Sequence, residues 1–337
     1  MRSAIGVAAV AGASLLAPGA AWADCQLAGF GNNVLQCTST TTTNTTAPAN
    51  PGVDRHYTVN TFFSSLIFNL QTGATINGHG VAVTNTNFGG FLVINNGAIV
   101  VDAGNTPTAG GTAALSLATA GGSMTYSGAG DITNNGAGNA FDASQTAGVG
   151  SIDLNISGSV FAATGSGVFV RDVTTSTGMV VTTGDITAGG IGVDAQTSSL
   201  TGDVSIVTNG DLQVGGSGIV GATLQNGAAG DVMIVANGDI RAGATGIVAG
   251  ILGTGATGDI TVTANGAIDA QLGISASNSG SGSTTVTAVG PINANLFNGI
   301  FVQAAGGDVT VTAGDVNATA NSAILARQSG GGVSAID

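Results

Sequence analysis

The chain is 337 residues long, with a net charge of −13, only 7% charged residues and 58 glycines. All 18 acidic side chains are Asp and all five basic ones are Arg, and an acidic surface excludes nucleic acid and anionic lipid as partners. Lacking Glu and Lys, the chain is not a helical protein, and low charge with a mean hydropathy of +0.42 excludes disorder.

Residues 1–23 read as an export signal. Arg2 gives the positive start, Ile5 to Leu16 the short apolar core, and Pro18 its break. Ala21-Trp22-Ala23 is the small-x-small pattern that places cleavage between Ala23 and Asp24. The apolar run is too short for a spanning helix, and nothing later reaches the ~20 residues that one needs. The mature chain is therefore expected in an oxidising compartment. There Cys25 and Cys37, the only two cysteines, bracket the loop QLAGFGNNVLQ. A disulfide between them is expected, worth ~3 kcal/mol for a loop of this size. Without a third Cys or a nearby His, a zinc site is not.

After Cys37 comes the Thr-rich run TSTTTTNTTAPANP, read as a linker or draped extended segment. The next stretch, His56 to Leu70, holds Phe62, Phe63 and Phe68 and reads as bulk that covers one end of a repeat array. Residues 24–71 are thus assigned to an N-terminal cap and 72–337 to the array itself.

From Gly130 the repetition is explicit. Gly130, Gly158, Gly184, Gly210, Gly238, Gly266, Gly290 and Gly314 open successive copies, at intervals of 28, 26, 26, 28, 28, 24 and 24 residues. A period in this range, carried by β-branched residues and Gly, signals a solenoid. Ile132, Val160, Ile186, Leu212, Ile240, Ile268, Ile292 and Val316 occupy matching inward places after the opening glycine. A second strand is read with Ile191, Ile219, Ile247, Ile274 and Ile300 in register. In the third, Val204/Ile206, Val232/Ile234 and Ile260/Val262 alternate with outward residues, the period-two pattern of a strand with one buried face. Three strands of five to seven residues per copy make one coil of a parallel β-helix. About ten coils of 24–28 residues stack into a rod of roughly 45–50 Å. Asn209, Asn237 and Asn265 precede corner glycines at 28-residue spacing and are expected to stack.

The leader, the early cysteine pair running into a Thr-rich segment, and the GDI-x-A…G-I…GD-V-x-V coils resemble autotransporter passenger domains of Gram-negative bacteria. That resemblance implies a right-handed pectate-lyase-like β-helix displayed on the cell surface. It also implies a C-terminal outer-membrane β-barrel as partner, and nothing in residues 1–337 resembles one. The final GGGVSAID aligns with GGDVTVTAG at Gly306 and stops within a strand, so the chain is expected to be the N-terminal part of a longer precursor.

Four sets of residues bear on possible chemistry. Asp185, Asp211 and Asp239 on one corner, and Asp203, Asp231 and Asp259 on another, are read as capping their own turns, with calcium ligation as the competing reading. Asn77 to Gly80, NGHG, superficially resembles the Gly-His-Gly of polygalacturonases, which share this fold, but the acid–base Asp pairs and the Arg-x-Lys clamp are missing. Arg171-Asp172 is the nearest approach to a constellation and is read as a surface pair, and His79 as a turn residue. The outward threonines Thr261/Thr263, Thr285/Thr287 and Thr310/Thr312 resemble the Thr-x-Thr arrays of some ice-binding β-helices, although Thr is simply a good exposed strand residue. With the only histidines, His56 and His79, in the irregular N-terminal part and no nucleophile elbow, the expectation is a non-enzymatic, adhesin-like stalk without cofactor or metal. Its partners would be host or neighbouring-cell surface molecules. The alternatives are a scaffold whose active module lies elsewhere in a longer precursor, a polysaccharide lyase or hydrolase, and an ice-binding protein.

Overall fold

The computed structural model describes strands 25–28, 34–37, 42–43 and 56–59 and, from residue 66 to 337, all but residues 79, 86–88, 102, 104–112 and 174–175. Residues 1–24, with the export signal and its Ala23–Asp24 cleavage point, lie outside the described residues.

The described chain is an all-β parallel solenoid, and no helix occurs among the described residues. Each coil gives one strand to each of three sheets. Sheet I has 13 strands, from Cys25–Ala28 and Val34–Cys37 to Ser334–Ile336. Sheets II and III have 11 each, running from Thr42–Thr43 to Val316–Ala318 and from His56–Val59 to Ile324–Gln328. Strands in sheets I and III are mostly five to seven residues long, whereas those of sheet II shorten to three from Ile132–Asn134 onward. The sequence reading of five to seven for every strand is corrected there. The segment between the opening glycine and the next glycine cluster has room for only one inward–outward–inward triplet.

Strand pairing follows the repeat. Ile132, Val160, Ile186, Leu212, Ile240, Ile268, Ile292 and Val316 are consecutive Cα partners down sheet II. All are fully buried except the half-buried Val316. In sheet III, Val193 and not Ile191 pairs with Ile219, followed by Ile247, Ile274 and Ile300. The stretch Gly189-Gly190-Ile191-Gly192-Val193 offers two Gly-apolar pairs, and the second enters the sheet because its side chain completes the core. Ile191 is left half-buried at the corner. At the other end Val309 pairs with Ser334, one position later than the sequence alignment, so Val333 is 70% exposed.

Inward residues of all three sheets form one continuous core from Phe68 to Val311. Corner glycines keep successive coils in contact. A Cβ on Gly238 would stand 2.3 Å from the Gly210 carbonyl oxygen, and one on Gly266 2.2 Å from that of Gly238. Close approach, and not a left-handed backbone, is what demands Gly at these two places. The N-terminal end of sheet I is a hairpin. Cys25–Ala28 runs antiparallel to Val34–Cys37, which in turn pairs with Leu66–Leu70.

Candidate functional site

The solenoid geometry decides what each recurrent polar residue does. The Asp185 carboxylate accepts the Asp211 backbone N–H at 2.9 Å, Asp211 accepts Asp239 N–H at 2.9 Å, and Asp239 accepts Ala267 N–H at 2.8 Å. Asp203, Asp231 and Asp259 likewise accept the N–H groups of Asp231, Asp259 and Ser283 at 2.9, 2.8 and 2.6 Å. The expectation that each Asp caps its own turn is therefore corrected. A coil of 24–28 residues stacks each Asp beneath the equivalent position of the next copy, so the donor it meets belongs to the following coil. The first ladder also ends coherently. Ala267 brings no acceptor, and Pro291, in the corresponding slot one coil on, has no N–H to satisfy. These side chains are exposed, so like charges ~4.8 Å apart repel by only about 1 kcal/mol in water. No group of three or more His, Cys, Asp or Glu placed to hold a metal occurs among the described residues.

The Asn stack forms as a chain of amides. Asn237 donates to Asn209 at 2.9 Å and Asn265 to Asn237 at 2.8 Å. The threonines of sheet I stand in two columns, Thr261–Thr285–Thr310 and Thr263–Thr287–Thr312, on the outward surface. Upstream, the array gives way to the outward Met233 and Val235.

Arg171 does not pair with Asp172. Adjacent strand residues face opposite sides, so Arg171 points out of sheet III and forks onto Asp194 in the next coil, at 3.0 and 2.9 Å. Its guanidinium lies 4.3 Å from the centroid of the Phe169 ring. Gln196 adds a third donor to Asp194 at 2.8 Å. Asp172 turns inward, is fully buried, and accepts hydroxyl hydrogen bonds from Ser176 and, at 2.8 Å, from Thr197. This group sits in a column of buried polar residues at the corner between sheets III and I: Asn85, Thr119, Gln145, Asp172, Thr197 and Thr223. Thr119 and Thr197 accept N–H groups of the turns that follow them, at 3.2 and 2.9 Å. Sequence reading missed the column. Its signal was a polar residue recurring at the end of every sheet III strand from Asn85 to Thr223.

Of the NGHG motif, Asn77 lies on sheet II and pairs with Val100, while His79 lies outside the described residues. Cys25 and Cys37 are direct Cα partners in the hairpin, and their side chains lie outside the described residues. Tyr126, buried in the core, meets Phe141 edge-on at 5.1 Å and takes a hydrogen bond from Asn95 at 3.0 Å. Burial pushes its phenol up to about 12, with the Asn95 contact acting against the shift. A shallow groove of about 360 Å³ runs between Phe161, Thr187 and Gln213 over a floor of Ala188 and Gly189.

Sheet III and its flanking turns carry no charged residue from Ala195 to Ala304. All six Asp of that span either open sheet I (Asp203, Asp231, Asp259), precede sheet II (Asp211, Asp239) or lie on it (Asp269). The rod thus has acidic rails on two corners and one uncharged flank. No family model, no curated protein and no solved structure matches the chain.

Proposed function

We propose that the chain is an exported, surface-displayed β-helical passenger: an adhesin-like stalk or scaffold whose work is geometric and not enzymatic. The observation that carries this reading is the use of the recurrent polar residues. Asp185, Asp211 and Asp239 on one corner and Asp203, Asp231 and Asp259 on the other spend a carboxylate oxygen on the next coil. The Asn stack is tied internally in the same way. Repetition here builds a rod, and binding is left to positions where the copies differ. The leader at residues 1–23 and the scarcity of basic side chains support export to a surface. A disulfide between Cys25 and Cys37 belongs to the same reading. Directly opposed residues of an antiparallel pair sit ~4.5–5.5 Å apart at Cα, within the span a disulfide accepts. The proposal further names a membrane-embedded β-barrel as anchor and surface molecules of other cells as partners.

The test is expression of the full chain with its leader in a Gram-negative host, followed by fractionation and N-terminal sequencing. Export with a new N-terminus at Asp24, and a mobility shift on reduction that Cys25→Ser removes, are expected. Full-length protein retained in the cytoplasm with Met1 intact would sink the proposal.

A further inference from the structure

We propose that two copies of this chain associate side by side through the outward surface of sheet III, between Val193 and Ala304. The inference stands apart from the export reading, since it rests on the distribution of charge and apolar surface around the rod.

Two chains of net charge −13 repel unless they meet where charge is missing. Contact through sheet I brings the Asp203–Asp231–Asp259 and Asp185–Asp211–Asp239 rails of one copy against those of the other, and sheet II starts directly after the second rail and carries Asp269 beside Arg241. Sheet III carries no rail on its own strands, and the turn from Leu224 to Gly230 stands between it and Asp231. The one carboxylate at the edge of its uncharged stretch, Asp194, is already held by Arg171 and Gln196.

The middle of this stretch is apolar. Val220, Ala222, Val248 and Gly250 are outward, consecutive partners across two coils, and the next two coils continue them with the uncharged Ser275, Ser277, Phe301 and Gln303. The turns beside it raise Leu200, Leu224 and Leu252, exposed by 48, 40 and 52%. Those turns are built and not loose. Thr254 donates through both its N–H and its hydroxyl to Asn226 of the coil before, at 3.0 and 3.2 Å. Leu252 lies back toward the strand, because a Cβ on Gly250 would stand 3.3 Å from it. On the opposite margin Leu296 and Phe297 are exposed by 49 and 46%. The face therefore has a flat floor between two apolar margins, which suits a second flat face of the same kind.

The area decides the strength. Five strands ~4.8 Å apart and about 16 Å long give roughly 400 Å² per copy before the turns are added. Two copies then bury a total near the lower limit of specific interfaces, about 1,000–1,200 Å². Reversible, concentration-dependent pairing follows.

Sedimentation equilibrium on the full chain, from micromolar to millimolar, tests this. The wild type should dimerise reversibly and more tightly as salt is raised, because salt screens the residual repulsion between the two acidic chains. Val248→Asp should weaken pairing at least about tenfold, because a two-fold interface meets the new charge twice. Leu224→Asp, on an exposed turn, provides the same test if Val248→Asp fails to fold, with far-UV circular dichroism as the check. Met233→Asp, an equally exposed apolar site on sheet I, should pair like the wild type. A monomer at every concentration overturns the proposal and leaves the face to a different partner. Dissociation by salt, or equal weakening by Met233→Asp, overturns it as well.

Discussion

Between Phe68 and Met179 the core adds aromatic, Leu and Met side chains to its Val, Ile and Ala, among them Phe68, Tyr126, Phe141, Leu115, Leu117 and Met124. From Val181 onward it is built of Val, Ile and Ala, with Leu212 the one Leu among the buried residues. The two regions also tie their coils differently. Buried polar side chains stand at the corner between sheets III and I in both, but the Asn209–Asn237–Asn265 stack and the continuous Asp ladders belong to the downstream one, whereas upstream Asp131 makes a single such bond, to the Ser159 N–H. Coil length explains the contrast. Sheet II partners are 23 residues apart from Ile76 to Ile99 and 33 from Ile99 to Ile132, but 28 and 28 from Leu212 through Ile240 to Ile268. Coils of 24–28 residues put each side chain on its own copy and permit ladders. Coils of 23 and 33 residues break that correspondence, and their turns are fastened by individual side chains reaching inward.

The largest expected effect comes from breaking the regular half at its core. Ile240 is fully buried, so Ile240→Asp should cost several kcal/mol, while Thr261→Asp on the outward surface of sheet I should cost under about 1 kcal/mol. Urea unfolding of the two variants measures the difference, and equal costs would overturn the assignment of faces.

The irregular half has its own handle. Native Tyr126 ionises at about 12 and an unfolded tyrosine near 10. The native state thus holds the phenolic proton more tightly, and its stabilisation is complete below pH ~10 and lost as pH rises from ~10 to ~12. The loss amounts to roughly 3 kcal/mol over that window. Melting curves at successive alkaline pH should show the slope in the wild type and not in Tyr126→Phe, which retains Tyr57. Parallel loss in both proteins would remove Tyr126 as the cause.

Much of this architecture was legible beforehand, because repeats reveal which positions are equivalent. The sheet II column is legible from Ile132 to Val316, since an apolar residue follows the opening glycine at a fixed offset in each of those copies; its upstream members Ile76 and Ile99, set in coils of 23 and 33 residues, are not. The Asn stack was found the same way. What the sequence hid was direction. It shows that Asp211 and Asp239 are equivalent without showing that one bonds the other, and it places Arg171 beside Asp172 when the strand sends them to opposite sides. Arg171 and Asp194, 23 residues apart, become neighbours only once the coil length between them is known. Ile191 was misplaced because two glycine-apolar pairs competed within five residues. The uncharged flank is visible in principle as the absence of Asp from one third of each repeat between Ala195 and Ala304.

Two glycines in the regular half separate two reasons for that residue. Gly238→Ala would drive a Cβ into the Gly210 carbonyl, and since backbone must move, the cost should be about 1–3 kcal/mol. Gly227, at φ +70°, has open space around its missing Cβ. Gly227→Ala should therefore cost only the conformational strain, about 1 kcal/mol. Thermal unfolding ranks the pair, and the reverse order would mean that coil spacing is softer than the ladders imply.

The smallest effect tests the ladders themselves. Asp239 accepts the Ala267 N–H, while its own N–H is taken by Asp211. Asp239→Ala removes only the first of these bonds, and the freed N–H stands at an exposed corner where water replaces the carboxylate. The cost should be about 0.5–1 kcal/mol. Asp239→Asn keeps an acceptor oxygen in the same place and removes one of the stacked charges, so it should lose less than Ala, or gain at low salt where repulsion along the rail is least screened. If the carboxylates instead served to gather a cation, Asn and Ala would behave alike, and calcium would raise the melting temperature of the wild type alone. A common response of wild type and Asp239→Asn to calcium keeps these residues as fasteners between coils, which is what their contact with the following backbone requires.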